Sequence, residues 1–365
     1  MGGSSFGSIF TITTFGESHG PALGVIVDGC PAGIPLEQAQ IQKALNRRRP
    51  GCHEGTLNAA VTARTEADEC EILSGVFEGK TTGTSIAILI RNTSQHSKDY
   101  ENLRNTFRPG HADYTYALKY GNRDFRGGGR SSGRETAARV AAGEIAHALL
   151  KHVFGSDFNV TAFTLRAAGV SCESIDYSVI EKNSMRAADL IAAEKMQQKV
   201  EDYRKKGESC GGVLECHVSG VPVGLGEPVF DKLDAELAHA MLSIGAVKGI
   251  EFGAGFESAD MTGSQMNDCM AADNGEVQFL SNNAGGILGG ISNGNKIVFR
   301  VPVKPVPSIF ISQNTVKKSG DHFESTELLI EGRHDICLCP RIVPVIEAMT
   351  YVTLADMYLR QSGQV

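Results

Sequence analysis

Between Arg126 and Glu135 the chain reads Arg-Gly-Gly-Gly-Arg-Ser-Ser-Gly-Arg-Glu, and it then runs into Ala137, Ala141, Ile145, Ala148 and Leu149 at helical spacing. Such a stripe requires a helix with one face in a core. The helix must start where glycines let the backbone approach a neighbour closely. Its first N–H groups lack carbonyl partners and favour an anion. Arg126, Arg130 and Arg134 add planar forks suited to phosphate or carboxylate. Ser132 and Glu135 have capping-box spacing, with the serine expected to accept from the Glu135 amide and Glu135 to reach back. No Gly-Lys-Ser/Thr follows, so this is not a Walker loop. The plainer reading is a capped helix with solvated arginines; three interleaved arginines favour a ligand site.

Around this feature, strands are expected at Gly24 to Val27, Thr84 to Ile90, Asn159 to Ala167, Gly212 to Val218, Lys296 to Val303 and Glu327 to Ile330, where β-branched runs meet turn formers. Helices are expected at Ile41 to Arg49, Met185 to Lys206, Asp231 to Ile244 and Arg341 to Gln361, and Gly51 to Glu66 reads as a loop. These elements cluster rather than alternate, which favours α+β over a doubly wound sheet. No linker interrupts the chain, so residues 1–365 are expected to form a single domain, with room for two similar halves. The most apolar stretch, Ile342 to Leu359, contains Pro344, Glu347 and Asp356, which suits a buried core helix rather than a membrane span.

Composition excludes some functions and sharpens others. With 35 Lys+Arg against 42 Asp+Glu the net charge is −7, so no basic face for nucleic acid is expected. Yet seven arginines fall between Arg104 and Arg139, and Arg47, Arg48 and Arg49 stand together. Concentrated arginine in an acidic chain points to a small polyanion held by several forks. The nine cysteines form no CxxC, and no HExxH occurs, so free thiols and no metal site are expected. No basic-then-apolar leader is visible at Met1 to Ser5, so a cytoplasmic location is expected. His19 in Gly16-Glu17-Ser18-His19-Gly20 and His111 in Arg108-Pro109-Gly110-His111-Ala112-Asp113 lie on loops, where imidazole can transfer protons near neutral pH. Asp335, after Arg333 and His334, is a candidate base or a salt-bridged turn residue. A second glycine loop, Asn282 to Gly294, leads to a strand and then to Lys304-Pro305-Val306-Pro307-Ser308. A flat ligand could lie on such a backbone, but no GxGxxG opens a helix, which argues against a dinucleotide fold.

Six of these strings in order resemble the chorismate synthase family, over about Phe6 to Leu359. They are Gly16-Glu17-Ser18-His19-Gly20 through Pro31, Arg47-Arg48-Arg49-Pro50-Gly51, Phe107 to Asp113, Gly127 through Gly143, Ala284 to Gly290, and Gly332-Arg333-His334-Asp335 through Ala348. The resemblance implies a β-α-β sandwich, with helices packed between antiparallel sheets, assembled as a homotetramer. It implies a carbon-oxygen lyase acting on phosphates. The reaction would be the anti-1,4-elimination of phosphate from 5-enolpyruvylshikimate 3-phosphate to chorismate, with reduced FMN and no net redox change. His19 would help the phosphate leave, His111 would protonate the flavin near N1, and Asp335 would assist proton removal at N5. Arg48, Arg108 and Arg134 would hold the substrate anions. Arg130, Ser131, Ser132, Ala246, Gly289, Lys304, Pro305, Val306, Pro307, Ser308 and Arg333 would contact FMN. An external flavin reductase is expected, rather than NADPH bound by this chain. Gly245, Val306 and Gly133 depart from the frequent Asn, Thr and Ala. Cys52 to Ala63 is longer than usual, with Arg64 nearby as a cation.

Overall fold

The structure, a computed structural model, describes residues 2–49, 67–92, 103–330 and 334–362. The expected loop Gly51 to Glu66, the long stretch Cys52 to Ala63, Arg64 and Arg333 lie outside these residues.

Chain order begins with β1 (Ser5–Phe6), β2 (Thr11–Gly16), β3 (Ala22–Asp28), α1 (Gln38–Arg48), β4 (Cys70–Ile72), the hairpin β5 (Val76–Phe77) and β6 (Lys80–Thr81), and β7 (Ile86–Arg91). These form a sheet of order β1-β2-β3-β7-β4. Its inner face follows from alternation: Leu23, Val25 and Val27 pair with Ile90, Ile88 and Ile86, and all six are buried. Next come α2 (Asp113–Tyr120) and α3 (Thr136–Phe154). The second sheet draws on β8 (Asn159–Ala167), β9 (Val170–Ser171), then, after α4 (Leu190–Lys205), β10 (Gly212–Ser219), and, after α5 (Leu233–Leu242), β11 (Glu251–Phe252). Between β11 and the last sheet strand lie α6 (Gly263–Met266) and the hairpins β12 (Met270–Asp273) with β13 (Glu276–Phe279) and β14 (Ile287–Leu288) with β15 (Ile291–Ser292). With β16 (Ile297–Val303) the order is β11-β16-β10-β8-β9. The hairpin β17 (Gln313–Ser319) and β18 (His322–Leu328) precedes α7 (Cys339–Ser362).

Both five-stranded sheets are antiparallel. α3 packs on the first sheet, α7 on the second, and the two helices pack on each other. The expected α+β sandwich is therefore the observed one. Several bounds differ. α4 starts at Leu190 rather than Met185, because Asp189 accepts the Ile191 and Ala192 amides at 2.9 and 3.1 Å and caps the helix there. The strand expected at Glu327 to Ile330 is mostly upstream, in the polar hairpin partner β18.

The helix contact depends on small side chains. Ala138, Ala141, Ala142 and Ala146 of α3 are fully buried or nearly so. A Cβ at Gly143 would stand 2.4 Å from the Ala348 Cβ and 2.5 Å from its Cα, so only glycine allows this crossing. α7 is long and apolar enough to cross a membrane, but 89% of its most apolar window is buried inside the protein. Its polar residues hold other parts of the fold. Asp356 accepts the amides of Ser8, Ile9 and Phe10 at 2.9, 2.6 and 3.0 Å. Glu347 accepts from Arg47 Nη1 at 2.5 Å and from the Ala162 amide at 3.1 Å, joining α1 and β8. Pro344 has no N–H to give the Pro340 carbonyl; buried Arg186 donates to that carbonyl instead, at 2.5 Å.

Two glycine substitutions check this packing in opposite directions. Gly143→Ala is expected to destabilise by about 1–3 kcal/mol through overpacking, against the usual helical preference for alanine. Gly133→Ala, with nothing within 4 Å of its Cβ position, is expected to stabilise by about 0.4–1 kcal/mol. Urea unfolding of both variants measures the two signs.

Candidate active site

A cleft of about 1450 Å³ opens where the start of α3 faces the start of α7. The structure brings to it His19, Arg48, Arg108, His111, Arg130, Ser131, Ser132, Arg134, Ala246, Lys304, Val306, Pro307, Ser308 and Asp335. Gly289 and Pro305 are not among the lining residues, and Gly289 is exposed between β14 and β15.

The glycine loop enters α3 through two short 3-10 turns, Gly129–Ser131 and Gly133–Glu135. The capping box expected there does not form. The Ser132 hydroxyl accepts the Arg134 amide at 3.2 Å, and the Glu135 carboxylate is engaged by Thr14 Oγ1 and Arg139 Nε, each at 2.9 Å. Arg130 donates to the Gly16 and Thr14 carbonyls, both at 3.0 Å, and to Thr14 Oγ1 at 2.7 Å, which fixes the loop to β2. Gly127 has φ +140°, and a Cβ there would lie 2.5 Å from His19 Nδ1. The glycine thus lets the His19 ring rest on the loop, where Nδ1 is 3.1 Å from Ser18 Oγ.

Buried carboxylates hold the arginines. Arg48 Nη2 lies 3.1 Å from Asp68 Oδ2, and Arg134 pairs with Asp68 Oδ1. Arg48 also donates to the Gly133 carbonyl at 3.0 Å and to Thr136 Oγ1 at 3.1 Å, while Arg134 Nε donates to Asn92 at 3.0 Å. Burial alone would raise the Asp68 carboxyl, but the charges of Arg48 and Arg134 outweigh it and hold it below the ordinary value. Arg108 forks onto Asp113 at 2.7 and 2.9 Å. On the far side, Lys304 donates to the Gly110 carbonyl at 2.7 Å, and its amide bonds the carbonyl of Ala246, which sits at φ +73°. Burial, then the nearby Lys248, pushes the Lys304 ammonium down. Asp335 is bonded by Arg341 Nη1 at 2.6 Å. Asp68 and Arg341 carried no short signal in the sequence; Asp113 lay inside the His111 string. Among the described residues no group of His, Cys, Asp and Glu could hold a metal, and the cysteines described are free thiols.

A glycine loop at a helix start, two loop histidines and paired arginines thus share one cleft in an α+β sandwich. The family profile for chorismate synthase matches residues 10–359. The chain belongs to the chorismate synthase family. The chorismate synthase of Methanosarcina mazei is 53% identical over 364 residues, covering 99% of this chain and 97% of the relative. That of Syntrophobacter fumaroxidans is 54% identical over 359 residues, covering 98% of each. A crystal structure of a chorismate synthase superposes with TM-score 0.76 at 32% identity, covering 98% of this chain and 94% of that one. Family membership carries the enzyme class: a lyase acting on a phosphate ester, which forms chorismate at the last common step of aromatic amino acid biosynthesis.

Two of the departures from the frequent family residues, Gly245 and Val306, line the cleft. A Cβ at Gly245, which lines the cleft, would meet nothing within 4 Å. Val306 contributes its carbonyl to Ser209 Oγ at 2.7 Å, a bond that any residue supplies.

The depressed Asp68 carboxyl gives a signed expectation. Its contribution is present above about pH 4, the unfolded value, and is lost as pH falls through the lower folded value. Asp68→Asn removes a buried carboxylate that Arg48 and Arg134 share and is expected to cost about 3–5 kcal/mol at pH 7. The gap to wild type should shrink below pH 4. Urea unfolding at pH 7 and pH 3 checks both points.

Proposed function

We propose that this cleft binds 5-enolpyruvylshikimate 3-phosphate beside reduced FMN, and that His19, His111 and Asp335 move the protons of a phosphate elimination. The observation that carries this reading is the set of arginines brought to one cleft and fixed by buried carboxylates. The substrate has a phosphate and two carboxylates, and planar forks match those groups in pairs. Arg48, Arg108 and Arg134 therefore supply its anion contacts. Because their carboxylate bonds already set their orientation, little is lost in ordering them when the substrate arrives.

The residues fit a flat phosphorylated cofactor. Ser131, Ser132 and Ser308 offer hydroxyls, Lys304 and Arg130 offer charge, and Cβ positions at Gly129 and Gly133 meet nothing within 4 Å. Those residues, with Ala246, Val306 and Pro307, would hold FMN; Gly289, Pro305 and Arg333 complete the proposed set. When bound, reduced flavin supplies electron density to the reaction with no net change of redox state. His19 gives a proton to the departing phosphate, which would otherwise leave as a poorer group. His111 keeps a proton available on the opposite loop. Asp335 receives a proton, and the Arg341 bond at 2.6 Å aims its carboxylate. The reading extends to a cytoplasmic homotetramer supplied with reduced flavin by a separate reductase.

Anaerobic assay of 5-enolpyruvylshikimate 3-phosphate with reduced FMN is expected to release phosphate and chorismate in equal amounts, and none with oxidised FMN. His19→Ala and His111→Ala should each lower turnover by roughly 10²–10⁴-fold with folding retained. Asp335→Asn should slow single turnovers at saturating reduced FMN. Phosphate release that ignores the flavin's redox state would overturn the reading.

A further inference from the structure

Asp113 is the first residue of α2 and only 2% exposed, and four groups converge on it. Its Oδ2 accepts Arg108 Nε at 2.7 Å and the Arg108 amide at 3.2 Å. Its Oδ1 accepts Arg108 Nη2 at 2.9 Å, lies 2.7 Å from Arg123 Nη1 and 2.9 Å from His111 Nδ1. Arg123 is itself fixed, donating to the Leu103 carbonyl at 2.5 Å and lying over the Phe107 ring at 5.5 Å. Burial opposes the Asp113 charge, but bonds from Arg108 and His111 prevail and hold the carboxyl far below its usual range.

The two contacts of His111 Nδ1 make opposite demands on its hydrogen. Besides the carboxylate, Nδ1 is 3.2 Å from Arg108 Nη2. A guanidinium has no acceptor and a carboxylate has no donor. The shorter, charged contact is satisfied only when Nδ1 carries hydrogen. Nε2 is then the nitrogen left to exchange a proton with a ligand in the cleft that His111 lines. We propose that Asp113 is a positioning residue for the elimination: it assigns proton delivery to His111 Nε2 and locks Arg108 beside it. This arrangement repeats the logic by which a buried aspartate orients a catalytic imidazole. It rests on the reading of His111 above.

A double-mutant cycle tests it, with kcat and KM measured at saturating reduced FMN for the wild type, Asp113→Asn, His111→Ala and the pair. Asp113→Asn is expected to lower kcat roughly 10–100-fold. In the His111→Ala background the same change should alter kcat by less than about 3-fold, because the imidazole it served is gone. The rise in KM caused by loosening Arg108 should persist in both backgrounds. A carboxylate that serves only as a structural counter-charge would lower kcat by the same factor in each background, and that result would overturn the proposal. If Asp113→Asn does not fold, Asp113→Glu, which keeps the charge and displaces it, runs the same cycle with the same criterion. An active wild type with an unimpaired His111→Ala variant also overturns it, while leaving the assignment of the reaction standing.

Discussion

The crossing of α3 and α7 at Gly143 and Ala348 is the contact on which the rest of the molecule depends. Each helix covers one sheet, so the spacing of the sandwich is set where the two helices touch. It also sets the cleft. The turns that lead into α3 present Arg130 and Arg134, and the start of α7 follows Asp335 and presents Arg341. Protein interiors are close-packed and transmit strain, so a displacement at the crossing is felt at both walls of the site. Alanine-rich packing here is therefore a positional requirement as well as a source of apolar burial.

A second constraint is electrostatic. Guanidinium groups inside a protein need compensating carboxylates, and removing one partner is costly. Asp68 and Asp113 meet that need for Arg48, Arg134 and Arg108 while leaving these side chains at the cleft. The arginines are thus both structural and cleft-lining. This differs from a surface patch of mobile cations, where ordering two long side chains on a ligand consumes much of the attraction.

The legibility of the chain divides along the same line. β8 spans the very residues, Asn159 to Ala167, that β-branched spacing marks out, because its pattern is local. Only the end of the polar β17–β18 hairpin is marked in the sequence, since its strands mix exposed and half-buried positions without a continuous apolar face. The Ser132–Glu135 spacing misled because Thr14, 121 residues away, claims the Glu135 carboxylate. Clustered arginines announced the site. Their partner Asp68 did not, being 20 residues from Arg48 and 66 from Arg134. Charge pairing at such separations is created by the fold and leaves no short-range mark.

The bonds from Asp356 to Ser8, Ile9 and Phe10 span as many as 348 residues. They tie the turn between the first two strands to the last helix of the chain. During synthesis those three amides must stay in water until α7 has left the ribosome, whatever the N-terminal sheet has already formed. Contacts of such sequence separation carry a loop-closure cost that slows folding. The turn between β1 and β2 is therefore sealed only once α7 is in place, and a chain truncated before Asp356 would leave that turn's amides without their acceptor.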